Sequence, residues 1–287
     1  MSEVFDDRLC ELGEGPLWHP GRGQLFWFDI LGRRLLTRDA EGPRDWAFPE
    51  MVSAAGWVDD GALLVASETA LFRFDLATGQ RADLCALEAD DTATRSNDGR
   101  ADPQGGFWIG TMGKRGRDDP GAGSIWRWRR GELRRLYPGI TISNAICFSP
   151  DGRTAHFADT ATARVMRVAL DADGWPKGEP ELFLDLRVAL LNPDGAVVDA
   201  EGLMWMAQWG AGRVAAYAPD GSLVRTVDFD APHTSCPAFG GPDRTTLYVT
   251  TAREGMDEAA RAASPQAGMT LMAGGVAKGQ AEHRVAL

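Results

Sequence analysis

The stretch Asn192-Pro193-Asp194-Gly195, running on through Ala196-Val197-Val198-Asp199-Ala200-Glu201-Gly202-Leu203-Met204-Trp205-Met206-Ala207, decides how the rest of the chain is read. A lone carboxylate stands just ahead of an apolar segment, an acidic turn and a second apolar segment, the pattern of two strands joined by a hairpin. The second segment has counterparts along the whole chain. They are Gly23 to Asp29, Gly61 to Val65, Gly106 to Gly110, Gly152 to Phe157 and Arg244 to Val249, with successive starts 38 to 50 residues apart. A further strand-like segment follows in Leu71 to Asp75, Ile125 to Trp128, Val165 to Val168 and Val214 to Tyr217, closed by turns such as Ala77-Thr78-Gly79 and Pro219-Asp220-Gly221. Each repeat therefore carries about four strands, and such a period is the signature of blades closing around a central channel. Six repeats predict an all-β, six-bladed β-propeller. A β-sandwich would explain the strand density but not the fixed order of segments within each repeat.

The composition agrees with this reading. The 287 residues include 34 Gly and 16 Pro, spread along the chain as punctuation between short strands rather than gathered in a linker. With 44% hydrophobic residues there is enough apolar surface for a sizeable core, and residues 1–287 read as one propeller domain. A net charge of −11 argues against nucleic acid or an anionic membrane as partner, but not against a small molecule. Cys10, Cys85, Cys147 and Cys236 are far apart and follow no metal-ligand spacing, so they read as reduced, mostly buried thiols. Met1 to Asp7 carries acidic residues where an export signal would be basic and apolar, and no window approaches the ~20 apolar residues of a membrane span. A soluble, cytoplasmic chain, monomeric or weakly oligomeric, is expected.

In a propeller the innermost strands all start at one rim of the channel, so equivalent positions in different repeats meet near the axis. Counting back from each turn selects Glu14, Ser53, Asn97 with Asp98, Asn144, Asp194 and Ser235, all polar. Singly, each could merely cap a turn. Together they predict a common polar pocket, whereas Asp59, Asp151 and Asp199 lie in the repeating turn itself and read as structural. Glu14, Asn144 and Asp194 offer two carboxylates and an amide carbonyl, oxygen donors suited to a hard divalent cation. The stretch Arg95-Ser96-Asn97-Asp98-Gly99 adds a guanidinium, an amide and a carboxylate, which suit the hydroxyl and carbonyl oxygens of a polyol ring. His19, His156, His233 and His283 fall outside this set, which disfavours a serine-histidine triad or a His-rich zinc site.

These residues carry a resemblance. Leu12-Gly13-Glu14-Gly15-Pro16-Leu17-Trp18, Arg95 to Pro103 continuing through Gly110-Thr111-Met112, Ile142-Ser143-Asn144-Ala145, Pro193-Asp194-Gly195 and Phe239-Gly240-Gly241-Pro242-Asp243 make the chain resemble the gluconolactonase, regucalcin (senescence marker protein) and luciferin-regenerating enzyme family. The resemblance runs nearly end to end. It implies a six-bladed propeller with a central metal site holding one divalent cation (calcium, zinc, manganese, magnesium or iron), with Glu14, Asn144 and Asp194 as ligands. It further implies that Arg95 and Asn97 contact a sugar, and that the enzymes among the members hydrolyse sugar lactones. In the loop Gly113-Lys114-Arg115-Gly116-Arg117-Asp118 the sequence is basic where some relatives place an acidic residue against a sugar hydroxyl.

The expectation is therefore a metal-dependent hydrolase that opens a sugar lactone to the aldonic acid. Asp194 would assist attack by water, Arg95, Asn97 and Asp98 would orient the ring, and Arg115 would favour electron-rich or anionic substituents if its loop folds over the channel mouth. An esterase or phosphotriesterase on the same scaffold, or a non-catalytic metal-binding propeller, would use the same pocket for other ends.

Overall fold

The computed structural model describes residues 2–287 and contains six four-stranded antiparallel sheets. The inner strands are Gly13–His19, Val52–Asp59, Thr94–Ala101, Ser143–Phe148, Asn192–Val198 and Thr234–Gly240, and they head blades 1 to 6 in chain order. In blades 1 to 5 the chain then runs outward, strand by strand, before crossing to the next blade. Each inner strand pairs with a second strand that is almost wholly apolar, such as Gln24–Asp29, Ala62–Ser67 and Phe107–Gly113, every residue of which is buried. Such strands lie between neighbouring blades and are covered on both faces. Trp27, Trp108, Trp128 and Trp205 fill the layers between them.

Blade 6 closes the ring. Its outermost strand is Glu3–Asp6, which pairs with Thr270–Ala273, so the first strand of the chain completes the last sheet. The sequence places this closing strand around Arg8 to Leu12. In the structure it lies a few residues earlier, and Arg8 instead folds back to bind Asp6 through its side chain, while Leu12 contributes only an isolated bridge to Ala252. Asp6 is buried and also accepts from Arg38, so this acidic pair of bonds ends the strand. The stretch Met256 to Ala263 reads in the sequence as a short helical insertion stopped by Ser264-Pro265, and a helix forms over Glu258–Ala263 in blade 6, with the Asp257 side chain accepting from the Ala260 amide at its N-terminus. No helix among the described residues is long and apolar enough to cross a membrane.

The acidic turns are structural, as their position in the repeat predicts. Asp199 accepts from the amides of Glu201 and Leu203 and from the Trp205 indole at 2.8 Å. Asp151 accepts from Ser149 and from the Arg153 amide. All four cysteines are free, three of them buried.

Two features open the channel at one end and shut it at the other. At the starting rim, every inner strand breaks register with its neighbour: between Glu14 and Leu17, Val52 and Ala54, Ser96 and Gly99, Asn144 and Cys147, Pro193 and Ala196, and Thr234 and Cys236. A bulge of this kind re-aims side chains that the pleat would otherwise send into the packing between blades. At the far end, the C-terminal segment crosses the channel. Gln280 donates to the carbonyls of Phe148 and Val198, Glu282 pairs with Arg100, and the Val285 amide bonds Trp57. The channel is thus a cup rather than a bore.

Candidate active site

The open end of the cup holds a cavity of about 410 Å³. Glu14, Arg95, Asn97, Asn144 and Asp194, from the inner strands of blades 1, 3, 4 and 5, line its floor. All five are buried. Local backbone geometry brings them there: each lies at or next to the register break of its own strand, and Gly15 and Ala145 beside Glu14 and Asn144 take left-handed conformations (φ 53° for both). Left-handed backbone at a non-glycine residue such as Ala145 is a local cost that the surrounding packing must hold in place.

Hydrogen bonds fix these groups in series. Arg95 donates through Nη1 to Asn97 Oδ1 at 2.6 Å and to the Ser96 carbonyl at 2.9 Å. Asn97 Nδ2 donates in turn to the Ser143 carbonyl at 2.8 Å and to Asn144 Oδ1 at 3.3 Å. Asn144 Nδ2 donates to Thr160 Oγ1, which orients the amide so that its oxygen remains on the cavity side.

Two carboxylates buried together are electrostatically costly without a cation. Burial, then the negative charge of Asp98, push Glu14 up to about 8 despite the bond it accepts from the Gly15 amide. Asp194 is raised for the same reasons, burial first and then repulsion from Glu14. Arg95 offsets part of this charge, and burial lowers its own affinity for a proton. Two carboxylates and an amide oxygen around water-accessible space form a donor set that fits a hard divalent cation. No group of three or more His, Cys, Asp or Glu side chains among the described residues forms a metal cluster, so a cation here would have to draw on the Asn144 oxygen.

The cavity does not receive every residue that the sequence pattern selects. Asp98 is not in its lining. It shares with Asn97 the bulge between Ser96 and Gly99, but its carboxylate accepts from the Ile146 amide at 2.7 Å, tying blade 3 to blade 4; burial raises it to about 6. Ser53 and Ser235 likewise bond within the packing, to Ser96 Oγ and to the Gly13 carbonyl. The inner strands of blades 2 and 6 thus send hydroxyls to join blades rather than side chains to the floor of the cup.

The basic loop does line the mouth, and its charges are largely answered. Lys114 pairs with Glu68, and Arg115, mostly exposed, pairs with Asp119. Arg117 reaches across to Asn192 Oδ1 at 3.0 Å and to the Ala161 carbonyl at 2.9 Å, which latches the loop of blade 3 onto blades 4 and 5.

Thr160, Trp209 and Glu254 also line the cavity and are absent from the residues selected by counting back from the turns. A signal for them exists. Because the second strand of each blade runs antiparallel to the first, its last residues return to the same rim. Thr160 follows the second strand of blade 4, Thr154–Asp159; Trp209 ends that of blade 5, Met204–Trp209; Glu254 follows that of blade 6, Thr246–Thr251.

The sequence and the fold have clear relatives. A Rhizobium meliloti (strain 1021) protein provisionally named a sugar lactone lactonase is 44% identical over 98% of this chain and 96% of its own length. The L-arabinolactonase of Azospirillum brasilense is 37% identical over 95% of this chain and 91% of its own. Among solved structures, a calcium-binding protein, regucalcin, from Agrobacterium tumefaciens str. C58 superposes with a TM-score of 0.96 at 43% identity, covering 99% of this chain and 97% of that one. Residues 12–253 match the SMP-30/Gluconolactonase/LRE-like region, and the chain belongs to that family.

Proposed function

We propose that the chain is a sugar lactonase that works with one divalent cation held by Glu14, Asn144 and Asp194. The observation that carries this reading is the convergence of two buried carboxylates and an oriented amide oxygen with Arg95 and Asn97 in one cavity of about 410 Å³, a volume suited to a small polyol ring. The names of the lactonase relatives point the same way. When bound, a divalent cation supplies Lewis-acid polarisation of a carbonyl oxygen.

The chain's own residues supply the rest. Arg95 and Asn97 hold the ring oxygens of the lactone, with Arg95 itself oriented by its bond to Asn97. Asp194 accepts the proton of the water that attacks the carbonyl carbon, the ring C–O bond breaks, and the proton passes to the departing oxygen, leaving an open hydroxy acid. The closed floor and the latched loop limit bulk water to the mouth. Arg115, at that mouth, meets substituents on the ring rather than its reacting bond.

The test is hydrolysis of a panel of aldonolactones, aryl esters and paraoxon-like triesters, followed with a pH indicator after chelation and after return of each of several divalent cations. Cation-dependent opening of aldonolactones in preference to the other classes is the expected result. Preference for triesters or esters, or no turnover of any substrate, would overturn the reading.

A further inference from the structure

Glu254 is the one carboxylate of the cavity wall that the mechanism above leaves without a task. It stands above the floor, just beyond the second strand of blade 6, where its backbone amide and that of Arg253 both bond the Glu11 carbonyl and so fix the turn. His233 braces the same wall: its ring stacks on Trp209, with centroids 4.3 Å apart and planes 13° from parallel. The backbone of Glu254 is therefore held firmly, while its carboxylate has no hydrogen-bond or ion-pair partner among the described residues.

Its relation to Arg95 is informative. Both groups line the same cavity, and Glu254 exerts the largest favourable charge effect on Arg95, ahead of Glu14 and Asp194; burial raises the Glu254 carboxylate above its ordinary value, and the Arg95 guanidinium opposes that rise. Yet the two do not form an ion pair. Arg95 spends Nη1 on Asn97 and Ser96, which leaves its remaining N–H donors to the cavity. A guanidinium and a carboxylate that attract each other across a cavity without touching leave a gap with a donor on one side and an acceptor on the other. A hydroxyl is the group that satisfies both, since it accepts from one side and donates to the other.

We propose that one hydroxyl of the sugar lactone bridges Arg95 and Glu254, and that Glu254 thereby selects lactones carrying that hydroxyl. This rests on the lactonase reading. Glu254 is a specificity residue in this account: it contacts the ring away from the bond that breaks. The basic loop cannot take over its task, because Lys114, Arg115 and Arg117 are donors and the nearby carboxylates Glu68 and Asp119 are already paired with two of them. The wall of blade 6 thus provides the hydroxyl acceptor that the loop lacks, and the Trp209 ring beside it offers a flat apolar face to the C–H side of the sugar.

The experiment compares kcat/KM on a parent aldonolactone with kcat/KM on its monodeoxy derivatives, one per hydroxyl, for wild type, Glu254→Leu and Glu254→Gln, together with calorimetric titration of each protein with a divalent cation. Wild type should discriminate against one derivative by about tenfold or more, the scale of a lost charge-assisted hydrogen bond. Glu254→Leu should abolish that discrimination through loss on the parent alone. Glu254→Gln, isosteric and with an accepting amide oxygen, should keep part of it, and cation affinity should stay within about twofold in both variants. If the variants retain the wild-type ratio for every derivative, or lose activity on all lactones equally, the inference is overturned while the lactonase reading stands. Should Glu254→Leu not fold, the isosteric Gln variant alone decides by the same ratios. Absence of turnover of any lactone by wild type would sink the lactonase reading and this inference with it.

Discussion

Asn144 Nδ2 donates to Thr160 Oγ1 at 2.9 Å, and the same hydroxyl donates onward to the Pro193 carbonyl at 2.6 Å. One threonine therefore sets the orientation of the amide from blade 4 and anchors the chain that carries Asp194 in blade 5. Groups that orient ligands in this way typically change cation affinity more than they change the fold. Thr160→Val, which keeps the shape and removes the hydroxyl, is expected to weaken divalent cation binding by about tenfold or more. Calorimetric titration beside a thermal melt separates that effect from a general loss of stability.

Burial of Glu14 near the Asp98 carboxylate predicts a pH dependence with a definite sign. Burial and neighbouring charge raise Glu14 from 4.5 to about 8, so the folded, metal-free chain holds a proton that the unfolded chain releases. With more protons bound in the folded state, stability falls as pH rises through this window. Melting of the metal-free chain should therefore show a Glu14-dependent loss between about pH 5 and about pH 8 that is absent in Glu14→Gln. Cation binding should release protons, visible as a difference in apparent enthalpy between buffers of different ionisation enthalpy.

Gly195 lies beside Asp194, where the inner strand of blade 5 packs closely on Cys236 of blade 6. A Cβ there would come within 2.2 Å of Cys236 Sγ and 2.9 Å of Cys236 Cα, so the backbone itself would have to shift. Gly195→Ala is expected to destabilise the chain by about 1 to 3 kcal/mol, the usual cost of overpacking, and to lower turnover further by displacing the neighbouring carboxylate. Urea denaturation and kcat on the same preparation check the two parts.

At the mouth, Arg115 and Arg117 should behave differently although they are two residues apart. Arg117 latches the loop to Asn192 and Ala161, so Arg117→Ala should raise KM by about tenfold through a mobile loop. Arg115→Glu loses the Asp119 pair and reverses charge at the rim. It should shift the kcat/KM ratio between lactones differing at the exocyclic carbon by about fivefold or more, with cation affinity unchanged. An unchanged ratio across the panel would remove Arg115 from substrate recognition.

Much of this was written in the sequence because a propeller converts chain position into spatial position. The Gly- and Asp-punctuated repeat placed all six inner strands, and counting back from each turn selected Glu14, Asn97, Asn144 and Asp194, which do meet in one cup. Counting could not tell which way a side chain points across a bulge. Asn97 and Asp98 are adjacent, yet one faces the cavity and the other bonds Ile146. Nor could it see residues delivered by returning second strands: Thr160, Trp209 and Glu254 occupy the rim because those strands are antiparallel. The closing strand lies earlier than the sequence places it for a local reason, since Arg8 turns its side chain onto Asp6 and onto the Thr37 and Arg44 carbonyls of blade 1 instead of extending the ladder of blade 6.

The central claim is that Asp194 serves both to hold a cation and to take the proton of the attacking water. Its most direct test is kcat/KM on a cleaved aldonolactone for wild type and Asp194→Ala, each stripped with chelator and then saturated with cation. The account predicts that stripped wild type is inactive and recovers on reloading, whereas Asp194→Ala remains folded and loses about 10³-fold or more even at saturating cation. Turnover by Asp194→Ala near the wild-type level in cation-replete buffer would contradict it.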